Sequence, residues 1–294
     1  MKPASFDYVR PGTLEEALQT LAGHPEAPNV KVLAGGQSLV PLLSMRLAAP
    51  AALVDINDLP GLDHVVATAD GVRIGALARH AQVLRDPEVA RVQPLVPLAL
   101  ANVAHATIRN RGTTVGSLVH ADAAAEMPMV LRLLDGSLDA VGPGGRRTIP
   151  AADLYVGPLE SSVRHDEIAV EAFFPALPGD SGVAFEEIAR RHGDYAMCGV
   201  AAVVAVEGDR VVSAKAGYLS VSDLPAVVDL TEALDGKISD ASLARAADAA
   251  LAVLEPETDI HATADYRAHL ARVLTARVLT AAHDDARARV EARA

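Results

Sequence analysis

The chain has 294 residues, half of them hydrophobic and 22% charged, a composition that can bury a sizeable core and suits two domains of ordinary size. Lys and Arg number 26 against 38 Asp and Glu, and the resulting net charge of -12, with 3% aromatic residues and no tryptophan, argues against nucleic acid as a partner. One cysteine, Cys198, leaves no internal disulfide, Cys-ligated zinc site or iron–sulfur cluster; no apolar run approaches the ~18 residues of a membrane span and no signal peptide is visible, so a cytoplasmic protein is expected.

Thr13-Leu14-Glu15-Glu16 has the pattern of a capping box, and Leu14, Ala17, Leu18 and Leu21 follow at helical spacing. Residues 30–33 read as a strand that ends at Ala34-Gly35-Gly36-Gln37-Ser38. A helical stretch over 39–47 and a strand over 53–57 come next. Ala69-Asp70-Gly71 is a hairpin turn between strands at 64–68 and 72–76. A helical region over 78–104 is broken near Pro94 and Pro97, and residues 109–117 read as a polar, glycine-bearing loop. A helix at 128–134 and a hairpin pairing 137–141 with 146–149 follow.

Residues 174–180 carry two prolines and a glycine and read as a linker, so the domain boundary is placed there. Beyond it lie strands near 183–189, 199–207 and 211–219, then helices over 239–253 and 263–282. The charged tail after Asp285 is expected to fray.

Two loops carry candidate chemistry. Gly35 and Gly36, between a strand and a helix, let backbone N–H groups approach an anion, and Ser38 adds a hydroxyl. The same residues also suit a plain tight turn. Thr113, Thr114, Gly116 and Ser117, flanked by Arg109 and Arg111, offer a second set of amides and hydroxyls that would equally serve a solvated loop. Two such loops roughly eighty residues apart favour a dinucleotide whose diphosphate lies between them. No G-x-G-x-x-G, P-loop, H-E-x-x-H or G-x-S-x-G motif occurs, no metal site is expected, and Cys198 sits in an apolar run as a buried, inert thiol. His192-Gly193-Asp194-Tyr195 forms a turn from which Tyr195 either caps a flat ligand or packs on the core.

Val32-Leu33-Ala34-Gly35-Gly36-Gln37-Ser38-Leu39 closely resembles the first flavin motif of the FAD-binding medium subunits of molybdenum hydroxylases, the carbon monoxide dehydrogenase and xanthine dehydrogenase type. Arg109 to Thr113 and Gly116 to Asp122 resemble the second motif. Leu53-Val54-Asp55-Ile56, Ile74-Gly75-Ala76-Leu77 and Arg191 to Ala196 match in order, so the resemblance spans nearly the whole chain.

It implies an α+β protein. Residues 1–176 would form a two-subdomain FAD-binding fold of the vanillyl-alcohol oxidase and p-cresol methylhydroxylase type, divided at about 57. Residues 180–286 would form a C-terminal α+β domain with a three-stranded antiparallel sheet and helices. Residues Val32 to Leu39 and Thr113, Thr114, Val115, Gly116 and Ser117 would hold the diphosphate and adjoining atoms. Glu126 matches an acidic FAD contact, Tyr195 a residue beside the isoalloxazine and Ile168 a backbone contact, with Asp122 in the same shell.

The resemblance further implies an electron-relay subunit without an acid–base pair essential to substrate oxidation. Electrons would come from a molybdenum cofactor on a large subunit through two [2Fe-2S] clusters on a small one and leave to an external acceptor, in a dimer of heterotrimers. Two departures stand out. Val115 replaces a motif glycine, which would limit φ and block close approach to phosphate. Glu186 stands where some relatives carry a Lys. The alternatives are a stand-alone FAD oxidoreductase and an assembly protein that lost FAD.

Overall fold

The computed structural model describes residues 2–293. Strands β1 (Asp7–Val9), β2 (Val30–Leu33) and β3 (Ala52–Asp55) form a parallel sheet in the order β1-β3-β2. All four residues of β3 are buried, as a central parallel strand covered on both faces requires. Helix α1 (Leu14–Gly23) starts where the sequence places it: the Thr13 hydroxyl accepts from the Glu16 N–H at 3.1 Å, while the Glu16 carboxylate reaches back to the Gly12 N–H at 2.8 Å. Ala17 and Leu21 are its buried face. Helix α2 (Leu39–Met45) joins β2 to β3.

The next sheet has five antiparallel strands, β4 (Val65–Ala67), β5 (Gly71–Gly75), β6 (Ser137–Gly142), β7 (Gly145–Pro150) and β10 (Ile168–Pro175), in the order β4-β5-β10-β6-β7. Between β5 and β6 run α3 (His80–Arg85), α4 (Pro87–Val92), α5 (Leu95–Leu100), α6 (Ala106–Arg109), α7 (Thr114–His120) and α8 (Glu126–Leu133). Asp86 separates α3 from α4; its carboxylate accepts from the Glu88 and Val89 N–H groups, and Pro87 sits at the first helical position. Short helix α9 (Ala151–Leu154) and the ribbon β8 (Tyr155–Gly157) with β9 (Glu160–Ser161) complete this part.

Two expectations are corrected here. Most of the expected loop over 109–117 is helical, because Thr113 caps α7 by accepting from the Gly116 N–H. Phe174, expected in a linker, is fully buried at the centre of the sheet; only after Pro175 does the chain leave it.

The last part is a four-stranded antiparallel sheet of β11 (Ser181–Ala189), β12 (Ala196–Glu207), β13 (Arg210–Leu219) and β14 (Ala226–Asp229), followed by α10 (Thr231–Leu234), α11 (Asp240–Leu251) and α12 (Ala264–Glu291). The expected three strands are therefore one too few, since the four residues after Pro225 pair with Lys215 to Tyr218. The apolar run of β12 serves two cores. Cys198, Val200, Ala202, Val204 and Val206 face α11 and α12, whereas Ala201 and Val203 join the core of the preceding part, whose helix α8 packs across β12, β13 and β14. A sheet covered on both faces explains why that run does not alternate with polar residues.

The expected frayed tail is instead the end of α12. Ala282 and Ala286, one turn apart, bury themselves against β11, and Asp285 accepts from the Val183 N–H at 2.9 Å and from Arg289 at 2.7 Å.

Candidate functional site

The first loop leaves β2 at Leu33 and enters α2 at Leu39, with Val32 half-buried in the strand behind it. Its carbonyls are engaged inside the chain. Leu33 accepts from Ile56 N–H at 3.1 Å, Ala34 from the Asn57 amide at 2.8 Å, Gly35 from the Gln37 amide at 3.1 Å and Gly36 from Val40 N–H at 3.0 Å. Among the described residues, the N–H groups of Gly36, Gln37 and Ser38 and the Ser38 hydroxyl meet no acceptor or donor. Gly36 has a φ of 72°, a conformation that suits glycine and turns successive N–H groups to one side.

The two loops meet at Gly35. A Cβ on this buried glycine would overlap the Arg111 carbonyl oxygen and lie 2.8 Å from the Gly112 Cα. Glycine is thus required by the second loop as much as by any ligand. Behind the junction, Arg79 donates to the Arg111 carbonyl at 2.8 Å and to the Asn57 side-chain oxygen at 2.7 Å. His80 N–H donates to the Gly112 carbonyl at 2.9 Å. The His80 ring is buried, and burial together with the neighbouring Arg109 charge lowers its pKa to about 4, so it packs as neutral imidazole against Thr114 (Nδ1 to Oγ1 3.2 Å).

Several expected ligands also have folding duties. The Thr113 hydroxyl is a helix cap and the Thr114 hydroxyl is bonded to His80. Arg109 donates to the Val103 and Ala104 carbonyls, both at 2.8 Å. Val115 is 2% exposed, with its side chain in the core beside Leu118, so that side chain does not block approach to the loop. Gly116 and Ser117 are half-buried on the same turn of α7, and the Ile168 side chain is buried at the start of β10, leaving only its backbone to face a ligand.

A second group of residues gathers where the two parts of the chain meet. Asp122 follows α7 and accepts from the Ala124 N–H at 2.9 Å, and Glu126 opens α8. Glu187 comes from β11 on the other side of the junction. Burial first, then the Glu187 and Asp122 charges, push the Glu126 carboxyl up to about 8; burial alone pushes Glu187 to about 7. Oxygen Oε2 of Glu187 is buried with no hydrogen-bond partner. Its neighbour Glu186 points away and pairs with Arg277 at 2.8 Å.

Tyr195 is 64% exposed; protein packed around one side of the ring, with the Asp122 and Glu126 charges, raises the pKa of its phenol. The turn that carries it closes against the first part at Gly193, where φ is 86° and a Cβ would overlap the His105 ring. Cys198, next to this turn, is buried, which pushes its thiol up to about 12; it is inert.

Sequence reasoning missed Asn57, Arg79, His80 and Glu187. Asn57 follows the matched Leu53-to-Ile56 segment and Arg79-His80 follows the Ile74-to-Leu77 segment, and that adjacency was the available signal.

Fold and site together define an FAD-binding subunit of an oxidoreductase. Residues 4–177 match the family model described as the FAD binding domain in molybdopterin dehydrogenase, and residues 183–282 match the CO dehydrogenase flavoprotein C-terminal domain. The chain is 42% identical over 291 residues to the 6-hydroxypseudooxynicotine dehydrogenase complex subunit alpha of Paenarthrobacter nicotinovorans, covering 98% of this chain and 97% of that protein. It is 31% identical to the carbon monoxide dehydrogenase medium chain of Hydrogenophaga pseudoflava, covering 96% and 98%.

Among solved structures it superposes with a TM-score of 0.90 on quinoline 2-oxidoreductase from Pseudomonas putida 86, at 37% identity over 97% of this chain and 99% of that one. The chain belongs to the family of FAD-binding medium subunits of molybdenum hydroxylases, the carbon monoxide and xanthine dehydrogenase type.

The residues present fit the cofactor. Free N–H groups and the Ser38 hydroxyl on the first loop suit an anionic diphosphate, and the orphaned Glu187 oxygen suits a donor-bearing ring or sugar.

Proposed function

We propose that this chain holds one FAD along the line from the first loop to the Tyr195 turn and serves as the electron-relay subunit of a molybdenum hydroxylase. In this reading Val32, Leu33, Ala34, Gly35, Gly36, Gln37, Ser38 and Leu39 form one side of the cradle, and Thr113, Thr114, Val115, Gly116 and Ser117 form the other. Within the second set, the two threonines and Val115 act by shaping the turn, and Gly116 and Ser117 by facing the cofactor. Asp122, Glu126, Tyr195 and the Ile168 backbone surround the ring. The observation that carries the reading is the contact of the two loops at Gly35, which turns segments far apart in sequence into one cradle.

When bound, FAD supplies the exchange between single electrons and electron pairs. The chain binds, orients and shields it. Iron–sulfur clusters on a small partner subunit would deliver electrons, and a large partner would carry the molybdenum cofactor and choose the substrate. The assembly is a dimer of heterotrimers in the cytoplasm, with the present chain divided into a cofactor unit over 1–176, itself split near 57, and a second unit over 180–286. No helix among the described residues is long and apolar enough to cross a membrane.

The test is the visible spectrum of the purified chain, with mass spectrometry of what acid releases. FAD in near one-to-one ratio supports the reading, and co-purification of two partners extends it to the relay. A colourless chain that refuses added FAD overturns it.

A further inference from the structure

We propose that Arg79 is the positioning residue of the cradle, its guanidinium fork clasping the two cofactor loops into a single frame through Asn57 on one side and the Arg111 carbonyl on the other. A continuous series of hydrogen bonds carries the argument. Asp55, at the end of β3, is buried and accepts from the Tyr8 hydroxyl of β1 and from both the backbone N–H (2.9 Å) and the amide (2.6 Å) of Asn57. The same Asn57 amide donates to the Ala34 carbonyl at 2.8 Å, which fixes the first loop to β3. Its side-chain oxygen then accepts from Arg79, whose other terminal nitrogen donates to Arg111 in the second loop. Remove Arg79 and no other side-chain hydrogen bond among the described residues joins the two loops.

The chemistry singles out arginine. The two acceptors sit on segments 54 positions apart in the chain (Asn57 and Arg111), and a planar fork presents two donors to them at fixed geometry. Lysine carries the charge on a single point. Arg79 is half-buried and makes no ion pair among the described residues; both of its partners are neutral oxygens. Burial and the nearby Arg111 charge weigh against its positive form and the Asp55 carboxylate supports it, but both hydrogen bonds of the guanidinium go to neutral oxygens, which its planar geometry joins. Cradle rigidity lowers the ordering cost of binding, which is where a clasp contributes to affinity.

This rests on the FAD site proposed above, so the test separates the two. The purified protein, with whatever partners accompany it, is stripped of FAD and titrated with FAD while flavin fluorescence is followed. Amide exchange of the stripped chain is measured over residues 34–38 and 111–117. In Arg79→Gln the Kd rises about 10- to 100-fold, the range set by losing hydrogen bonds from a charged donor. Exchange rises in both loops together. Arg79→Lys recovers little of either loss. Asn57→Ala shows the same paired loosening, and the double variant is no worse than the weaker single one, as two members of one clasp demand.

Wild-type affinity in Arg79→Gln, full rescue by Lys, additive losses, or loosening of one loop alone each overturns the clasp. If Arg79→Gln does not fold, Arg79→Lys and Asn57→Ala decide by the same readouts. A wild-type chain that binds no FAD overturns the cofactor reading, and exchange in the two loops then decides the clasp on its own.

Discussion

The two ends of the proposed site differ in electrostatic character. At the loop junction the chain gathers unpartnered N–H groups and two arginines, Arg79 and Arg111, neither of them in an ion pair among the described residues. Near the Tyr195 turn it gathers Asp122, Glu126 and Glu187; burial and then the Glu187 charge raise the Glu126 carboxyl to about 8, and burial raises Glu187 to about 7. A protein with a net charge of -12 thus keeps one small positive end and one end of suppressed negative charge. An extended ligand with an anionic middle and a hydrogen-bonding ring has one favourable direction along such a gradient. The difference teaches that orientation is encoded by charge, while affinity is encoded by loop geometry.

The largest effect expected from breaking this contrast is at Gly35. Gly35→Val drives a branched side chain into the Arg111 backbone, so the purified protein should retain less than a tenth of the wild-type flavin content and melt several degrees lower. The lesion acts by parting the two loops. Flavin content with the wild-type value sinks the two-loop cradle.

The acidic end is probed by pH. Both glutamates have folded-state pKa values above the ordinary carboxylate value, so the folded chain binds more protons than the unfolded one between about pH 4.5 and 8. Stability of the flavin-free chain should therefore be highest at the acid side of this window and fall as pH rises through it. Glu126→Gln and Glu187→Gln should each flatten the fall, and because the two titrate as a pair, the first replacement should also shift what remains. Thermal melts from pH 5 to 8.5 measure this; a fall in both variants as steep as in the wild type refutes it.

Val115→Gly replaces the core valine with the glycine of the motif that this segment resembles. Val115 packs in the core on the first turn of α7, so the replacement should cost about 2–3 kcal/mol from lost burial and glycine in a helix, without tightening FAD binding. Denaturant unfolding and an FAD titration check both halves. The smallest effect is expected for Tyr195→Phe. Its side chain is mostly in solvent, so stability should move by less than ~0.5 kcal/mol while the visible flavin spectrum shifts, since the phenol lies beside the Asp122 and Glu126 charges.

Local signals made much of the fold legible. Thr13 caps α1, Asp70-Gly71 turns the first hairpin, and Gly208 turns from β12 to β13 with a φ of 60°. What was illegible depended on partners far away. Pro175 and Pro178 suggested a linker, yet Pro175 ends the central strand β10, because only the neighbours β5 and β6 decide that this mostly apolar eight-residue stretch is inside a sheet. The end of α12 looked like a charged tail until Ala282 and Ala286 were seen to lie on one side of it.

The glycines of both loops were readable as loop residues, but their mutual contact was not. Nothing local in Leu77-Ala78-Arg79-His80 says that its arginine reaches Asn57 and Arg111. Val115 is the reverse case. As a motif mismatch it looked like damage to the cradle, and three-dimensional packing shows it filling the core.

The place of β10 also bears on how the protein is made. It is the last strand of its sheet in chain order and fills the gap between two strands already synthesised. Until residue 175 leaves the ribosome, β5 and β6 face each other across that gap with unpaired edges, and α8 waits still longer for β12 and β13 to cover it. Nascent chains therefore expose an open sheet edge until β10 is made and an apolar helix face until β12 and β13 are made. The proposed cofactor site, which runs from Val32 to Tyr195, is complete only after the first of these intervals has passed.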